Sequence, residues 1–114
     1  NHPFTNSPVY FAYDSAVVGA AFDPVIQSLA EYINNNHSYY LTVNGHSDER
    51  GSEEYNRALS EKRALAVKSE LMAQGVPEGR INTVGYGEET PAATGNNADA
   101  YAKNRRAEFE VFSK

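Results

Sequence analysis

Cysteine is absent from the 114-residue chain, which removes disulfides, thiolate metal sites and cysteine nucleophiles together. The absence does not identify a compartment, because cysteine-free domains occur in cytoplasm and periplasm alike. Long apolar runs are missing as well. No stretch approaches the roughly 18 to 20 residues that cross a bilayer, and no charged start followed by an apolar segment reads as a signal peptide. Positive charge is in deficit: 10 Lys and Arg stand against 15 Asp and Glu, a formal net charge of -5. Binding to a phosphate backbone needs several clustered cations, so this balance argues against nucleic acid as a partner. There are no internal repeats, no low-complexity tracts and no initiating methionine. The chain therefore reads as a processed piece of something longer, with any anchor or export signal upstream of Asn1.

What remains is the balance of an ordinary soluble globular protein, 40% hydrophobic and 22% charged. One domain with one core is expected at this length. NHPFTNSP, residues 1–8, shows no period and reads as a linker or flexible terminus, leaving 9–114 as the domain. VYFAYDS alternates as a strand that ends at Asp14 and Ser15. Phe22, Val25, Ile26, Leu29, Ala30 and Ile33 recur at three and four, the stripe of an amphipathic helix begun by Asp23-Pro24 and stopped by the asparagines at 34–36. YYLTVNG, 39–45, is a second strand. A long helix follows, capped by Ser52, with Glu53 and Glu54 at its positive end and Gly75 closing it about six turns on. INTVGYG, 81–87, is a third strand, EETPAATGNN is turn-like, ADAYAKN is a short helix and RAEFEVF is a last strand. The order β-α-β-α-β, then a short helix and a strand, predicts an α/β sandwich, a mixed sheet covered by helices on at least one face.

Chemistry concentrates in the loop GHSDERGS, 45–52, where Gly45 and Gly51 are read as hinges around His46, Asp48, Glu49 and Arg50. The spacing matches no metal pattern: there is no HExxH, no second nearby histidine and no twelve-residue calcium loop. There is no GxSxG, and the adjacent carboxylates Glu53-Glu54 and Glu88-Glu89 read as solvated, so neither catalysis nor a cofactor is expected. His46 reads as a hydrogen-bonding residue at a buried strand end, and the KNRR cluster at 103–106 as the basic end of the short helix. On the long helix, at about 100° per residue and with Leu59 as reference, Tyr55, Leu59, Ala66 and Val67 define the predicted core arc. Arg63 falls about 40° from Leu59, Asn56 about 60° and Glu70 about 20°, a polar line along the buried side. Arg63 can pair with Glu70 or a loop acid, or snorkel along its own methylenes. Alternatively, a loop that doubles back brings Asp48 and Arg63 to opposite walls of one pocket, suited to a zwitterion: ammonium on Asp48, carboxylate on the guanidinium fork.

These residues carry a family resemblance. GHSDERGSEEYNRALSEKRALAVKSEL, 45–71, resembles the signature of the OmpA-like peptidoglycan-binding domain, whose pattern N-x-x-L-S-x-x-R-A-x-x-V is matched at Asn56, Leu59, Ser60, Arg63, Ala64 and Val67. DERG, VGYGEE and AYAKNRRAEF resemble the peptidoglycan-associated lipoprotein branch of that family. The resemblance implies a non-enzymatic periplasmic domain, associated with the outer membrane, that grips the free end of meso-diaminopimelate in the peptidoglycan stem peptide. It also implies a TolB-like protein partner in a Tol-Pal-type envelope complex as an alternative ligand of the same surface. Carried over by residue, Asp48 takes the diaminopimelate ammonium and Arg63 its carboxylate. Asn56 and Leu59 line the pocket, Tyr13, Asp14 and Ser15 form its rim, and Arg50 and Arg105 are further candidates. The chain departs from relatives at Ala12, where an acid is frequent, and it lacks the lipidated cysteine, which places any anchor upstream.

Overall fold

A buried polar stripe on the long helix and two glycine-ended strands decide how the layers meet. In the computed structural model, which describes residues 7–89 and 91–113, the elements follow in the expected order. They are β1 (Val9–Tyr10), α1 (Asp23–Asn34), β2 (Tyr39–Gly45), α2 (Glu53–Ala73), β3 (Ile81–Gly85), α3 (Ala98–Asn104) and β4 (Arg106–Ser113). The sheet order is β1-β4-β2-β3. β2 and β3 are parallel, and β4 runs antiparallel between β1 and β2. The last strand thus enters the gap left by the β1-α1-β2 crossover, which makes the sheet mixed.

Leu41 and Val43 on β2 pair with Val111 and Phe109 on β4, and their side chains share the core with Ile26, Leu29 and Ile33 of α1 and Ala64, Val67 and Leu71 of α2. The opposite face carries Tyr40 stacked on Phe112 at 5.9 Å and Asn44 donating to Glu110 at 2.6 Å. Residues 1–6 of the expected flexible terminus lie outside the described residues.

Helix α2 is bounded as its sequence requires. The Ser52 hydroxyl accepts from the Tyr55 amide at 3.1 Å, and Glu53 and Glu54 occupy the first turn. At the other end Gly75 has φ +95°, its amide bonds Met72 O, and the Val76 amide bonds Leu71 O. These two bonds make a Schellman close with Val76 against Leu71. The buried face, however, is not centred on Leu59. Asn56, Ser60, Arg63, Ala64, Val67 and Leu71 are buried, whereas Tyr55 and Glu70 are exposed. The core direction lies about 90° around the helix from Leu59, at Ser60 and Val67. The polar stripe of Asn56, Ser60 and Arg63 is therefore the packing face itself, and apolarity alone mislocated it.

The other differences are local. β1 is two residues long and not seven, because Asp14 adopts φ +54° and the Ser15 amide turns back to Ala12 O. Arg80, unremarked in the sequence, donates to Ile33 O, Asn36 O and Tyr39 O and ties the end of α1 to the start of β2. Lys103 lies exposed in the last turn of α3, the basic end expected there, while Arg105 is half-buried and Arg106 buried.

Gly45 is a contact and not a hinge. A Cβ there would lie 1.9 Å from Ser60 O, inside the backbone of α2. Gly45→Ala is expected to destabilise the fold by about 3 kcal/mol, since α2 must lift off the sheet. Gly79→Ala, where nothing lies within 4 Å of the added carbon, should stay within about 0.5 kcal/mol. Urea midpoints check the pair, and equal midpoints would show that the approach of helix and strand is not limiting.

Candidate functional site

The end of β2, the turn after β1 and the first half of α2 converge on one cleft of about 100 Å³. Its walls are Tyr13, Asp14, Ser47, Asp48, Arg50, Gly51, Tyr55, Asn56, Leu59 and Arg63. A larger hollow of about 420 Å³ beside Glu53, Glu54, Arg57 and Glu61 offers only exposed side chains.

Arg63 is the most deeply placed charge, 1% exposed. Its Nε donates to Ser15 O at 2.8 Å, Nη1 to His46 O at 2.9 Å and Nη2 to Ala12 O at 3.2 Å, and the guanidinium lies 5.4 Å from the centre of the Phe11 ring. A guanidinium has five N–H groups, so two are left for a ligand. Burial lowers the Arg63 pKa to about 10, opposed by the negative charges of Asp48 and Asp14. The group is charged at neutral pH. It contacts neither Glu70 nor any loop acid directly.

Asp48 is buried at the facing wall and is held by Arg50: backbone N to Oδ1 at 3.0 Å, Nε to Oδ1 at 3.3 Å and Nη2 to Oδ2 at 2.8 Å. Arg105 stands behind at 3.6 Å from Oδ2. Burial by itself would raise this carboxyl. The hydrogen bonds and charge of Arg50, with the charge of Arg105, outweigh it and hold the group below its ordinary value. A carboxylate has about four acceptor positions, and the three Arg50 contacts leave one.

Arg50 is more central than a supporting loop residue. Its guanidinium lies 4.2 Å from the Tyr13 ring centre and 4.3 Å from that of Tyr101, so two aromatic faces clamp it onto Asp48. The Asp48 hydrogen bond raises its pKa and keeps it protonated. Asn56 donates to Glu88 at 2.9 Å, and Arg57 pairs with Glu89, so the 86–89 turn is pinned beside the cleft. Asn104 steadies the following segment by accepting from the Ala92 and Ala93 amides.

Among the residues expected at the site, Tyr13, Asp14, Asp48, Arg50, Asn56, Leu59 and Arg63 share the cleft. Ser15 and Arg105 do not line it. Ser15 contributes its carbonyl to Arg63, and Arg105 bonds Phe11 O while backing Asp48. Sequence reasoning missed Ser47, Tyr55 and Tyr101. The alternation of Gly51, at φ +97°, with the Ser52 cap signals only that the loop must turn there.

His46 lies behind the site, 3% exposed, stacked on Tyr86 at 5.4 Å and 12°. Burial and Arg106 lower its pKa from 6.5 to about 4, with Glu108 opposing. Among the described residues no three His, Asp or Glu side chains converge as a metal site.

The OmpA family model matches residues 10–105. The peptidoglycan-associated lipoproteins of Pasteurella multocida and Haemophilus influenzae are each 43% identical over 99 residues, covering 87% of this chain and 66% and 65% of theirs. The chain thus spans just under two thirds of those relatives. The crystal structure of the peptidoglycan-associated lipoprotein from Burkholderia pseudomallei superposes with a TM-score of 0.90 at 36% identity, covering 92% of this chain and 89% of that one. The C-terminal domain of Helicobacter pylori MotB shares the fold, with a TM-score of 0.85 at 22% identity over 94% of this chain and 84% of that one.

Two expectations follow from the buried charges. Arg63→Leu removes the guanidinium donor from three carbonyls, of which Ala12 O keeps the Ser15 amide, and should cost about 3 kcal/mol in urea unfolding, with Arg63→Lys recovering only part. A leucine variant of full stability would refute the structural role. For His46 the folded value is depressed, so its stabilising contribution is complete above pH 6.5 and is lost as pH falls toward about 4. The loss should approach about 3 kcal/mol. Unfolding curves across that window should slope for the wild type and flatten for His46→Gln; identical slopes would sink the assignment.

Proposed function

The chain belongs to the OmpA family, and on that premise we propose that it binds peptidoglycan non-covalently, as a periplasmic, outer-membrane-associated tether and not as an enzyme. The ligand is the free amino-acid end of diaminopimelate in the stem peptide. One observation carries this reading: a small cleft with a buried carboxylate on one wall and a buried guanidinium on the other, each already oriented and each with capacity left. An α-amino acid head presents the matching pair. Its ammonium meets the remaining acceptor position of Asp48, and its carboxylate takes the two unused N–H groups of Arg63 in parallel. Leu59 packs against the methylene chain, and Asn56 and Arg50 border the head. The names of the relatives, peptidoglycan-associated lipoproteins, support the same ligand class.

Because both groups are fixed by other contacts before ligand arrives, little conformational entropy is lost on binding. A lysine at the diaminopimelate position keeps the ammonium and lacks the carboxylate, which leaves desolvated Arg63 N–H groups without a partner. That mismatch is worth on the order of 1 to 3 kcal/mol.

A second reading is that the same surface docks a TolB-like protein. It is favoured by the rim, where Tyr13 and Tyr55 are 62% and 48% exposed. Calorimetry with diaminopimelate-type and lysine-type stem peptides is expected to show at least about fivefold preference for the former, and equal affinities would refute the mechanism. Pull-down with purified sacculi should fail for Asp48→Asn. Undiminished retention of both Asp48→Asn and Arg63→Lys would shift the assignment to the protein partner.

A further inference from the structure

The cleft continues past Leu59. There it meets a groove of about 270 Å³ between the chain after Asp14 and helix α2, floored by Ala16, Ala58 and Leu59, with Asp14 and Tyr55 common to both spaces and Lys62 at the groove's edge. The two spaces use adjacent stripes of one helix. Asn56 and Arg63 serve the cleft, while Ala58 and Lys62, spaced like neighbours on a helical face, serve the groove. Lys62 stands about 4.5 Å further along the axis than Leu59, and a helical side chain leans back toward the N-terminus, over the turn that carries Leu59 and Ala58. Lys62 is exposed, and among the described residues it has neither an ion pair nor a hydrogen bond.

The head that enters the cleft is one end of a longer ligand, and the groove that joins the cleft at Asp14, Tyr55 and Leu59 gives the other end a way out. An anionic peptide leaving that way meets the carboxylate of Asp14 at the mouth, which opposes it, so a cation is needed further along. We propose that this groove is a second subsite for the stem peptide and that Lys62 receives the free α-carboxylate of the γ-linked glutamate that precedes diaminopimelate. The inference rests on the cleft being the diaminopimelate site. It adds a recognition of the neighbouring residue, so that amidation of that glutamate, which removes its charge, weakens binding.

The test is calorimetry at low ionic strength with wild type and Lys62→Gln, an exposed change whose unfolding midpoint should match wild type. Three ligands are compared: free meso-diaminopimelate, the tripeptide L-Ala-γ-D-Glu-meso-diaminopimelate, and the same tripeptide with its glutamate α-carboxylate amidated. Lys62→Gln should lose about two- to fivefold on the acidic tripeptide, the range of an exposed ion pair, and the loss should shrink with added salt. It should leave free diaminopimelate and the amidated tripeptide unchanged. Equal affinity of both proteins for the acidic tripeptide overturns the subsite while leaving the cleft intact. An equal loss on both tripeptides overturns the glutamate assignment and moves the contact to a carboxylate of diaminopimelate itself. Failure of the wild type to bind even free diaminopimelate overturns the cleft reading and the subsite with it.

Discussion

A single buried guanidinium organises this domain. Arg63 reaches from the middle of α2 to three carbonyls on two other segments, Ala12 and Ser15 in the turn after β1 and His46 at the end of β2. None of these carbonyls has a strand partner at that point, because β1 ends at Tyr10 and β2 at Gly45. Burying a charge of this size is costly unless every contact is hydrogen bonded. The arrangement is therefore stable only when the turn, the strand end and the helix are all in place. The left-handed conformation of Asp14 is one consequence, since it turns the Ala12 and Ser15 carbonyls toward the same fork. The negative wall of the cleft is another, since His46 and Asp48 leave β2 in a direction that the Arg63 bond sets.

The polar face of α2 sits so deep because small residues let it. Ser60 O lies where a side chain on Gly45 would be, and Gly85 is pressed against Glu61 in the same way. The Ser60 hydroxyl then donates to Arg57 O and accepts from the Gly87 amide, closing the 86–89 turn onto the helix. With the backbones this close, Asn56 and Arg63 arrive at the sheet's edge already inside the protein, where a larger residue at 45 or 85 would hold them out in solvent.

Much of this was legible in the sequence, and the exceptions share a cause. The order of elements, the Ser52 cap and the Gly75 close follow from local chemistry and were found as expected, whereas the Asn97 cap of α3 was not foreseen. The orientation of α2 was not, because hydrophobic periodicity assumes that the buried stripe is the apolar one, and here it contains Asn56, Ser60 and Arg63. Pairing Asp48 and Arg63 across one cleft came from spacing and family resemblance together. The clamp of Arg50 between Tyr13 and Tyr101 spans three separate segments, and no local pattern announces such a contact. Arg80 and Asn104 escaped notice for the same reason: their partners are backbone carbonyls and amides, which leave no mark in the residue types.

The neutralisation of Asp48 before any ligand arrives has a bearing on affinity. Arg50 already supplies most of what the carboxylate can accept, so an incoming ammonium adds one interaction to a satisfied group and rescues no stranded charge. Arg63 behaves alike, with three carbonyls bound and two N–H groups spare. A site built this way discriminates by fit more than by strength: a ligand lacking either charge leaves a desolvated group behind, yet a correct ligand gains only the last increment at each wall. On the proposed function that balance suits a polymer. Many identical stem peptides lie within reach of a tethered domain, so rebinding after each release is effectively intramolecular and the tether holds through repeated weak contacts. On that proposal, a rigid cleft of modest affinity would grip such a lattice while letting the attachment point move, which a single tight site would prevent.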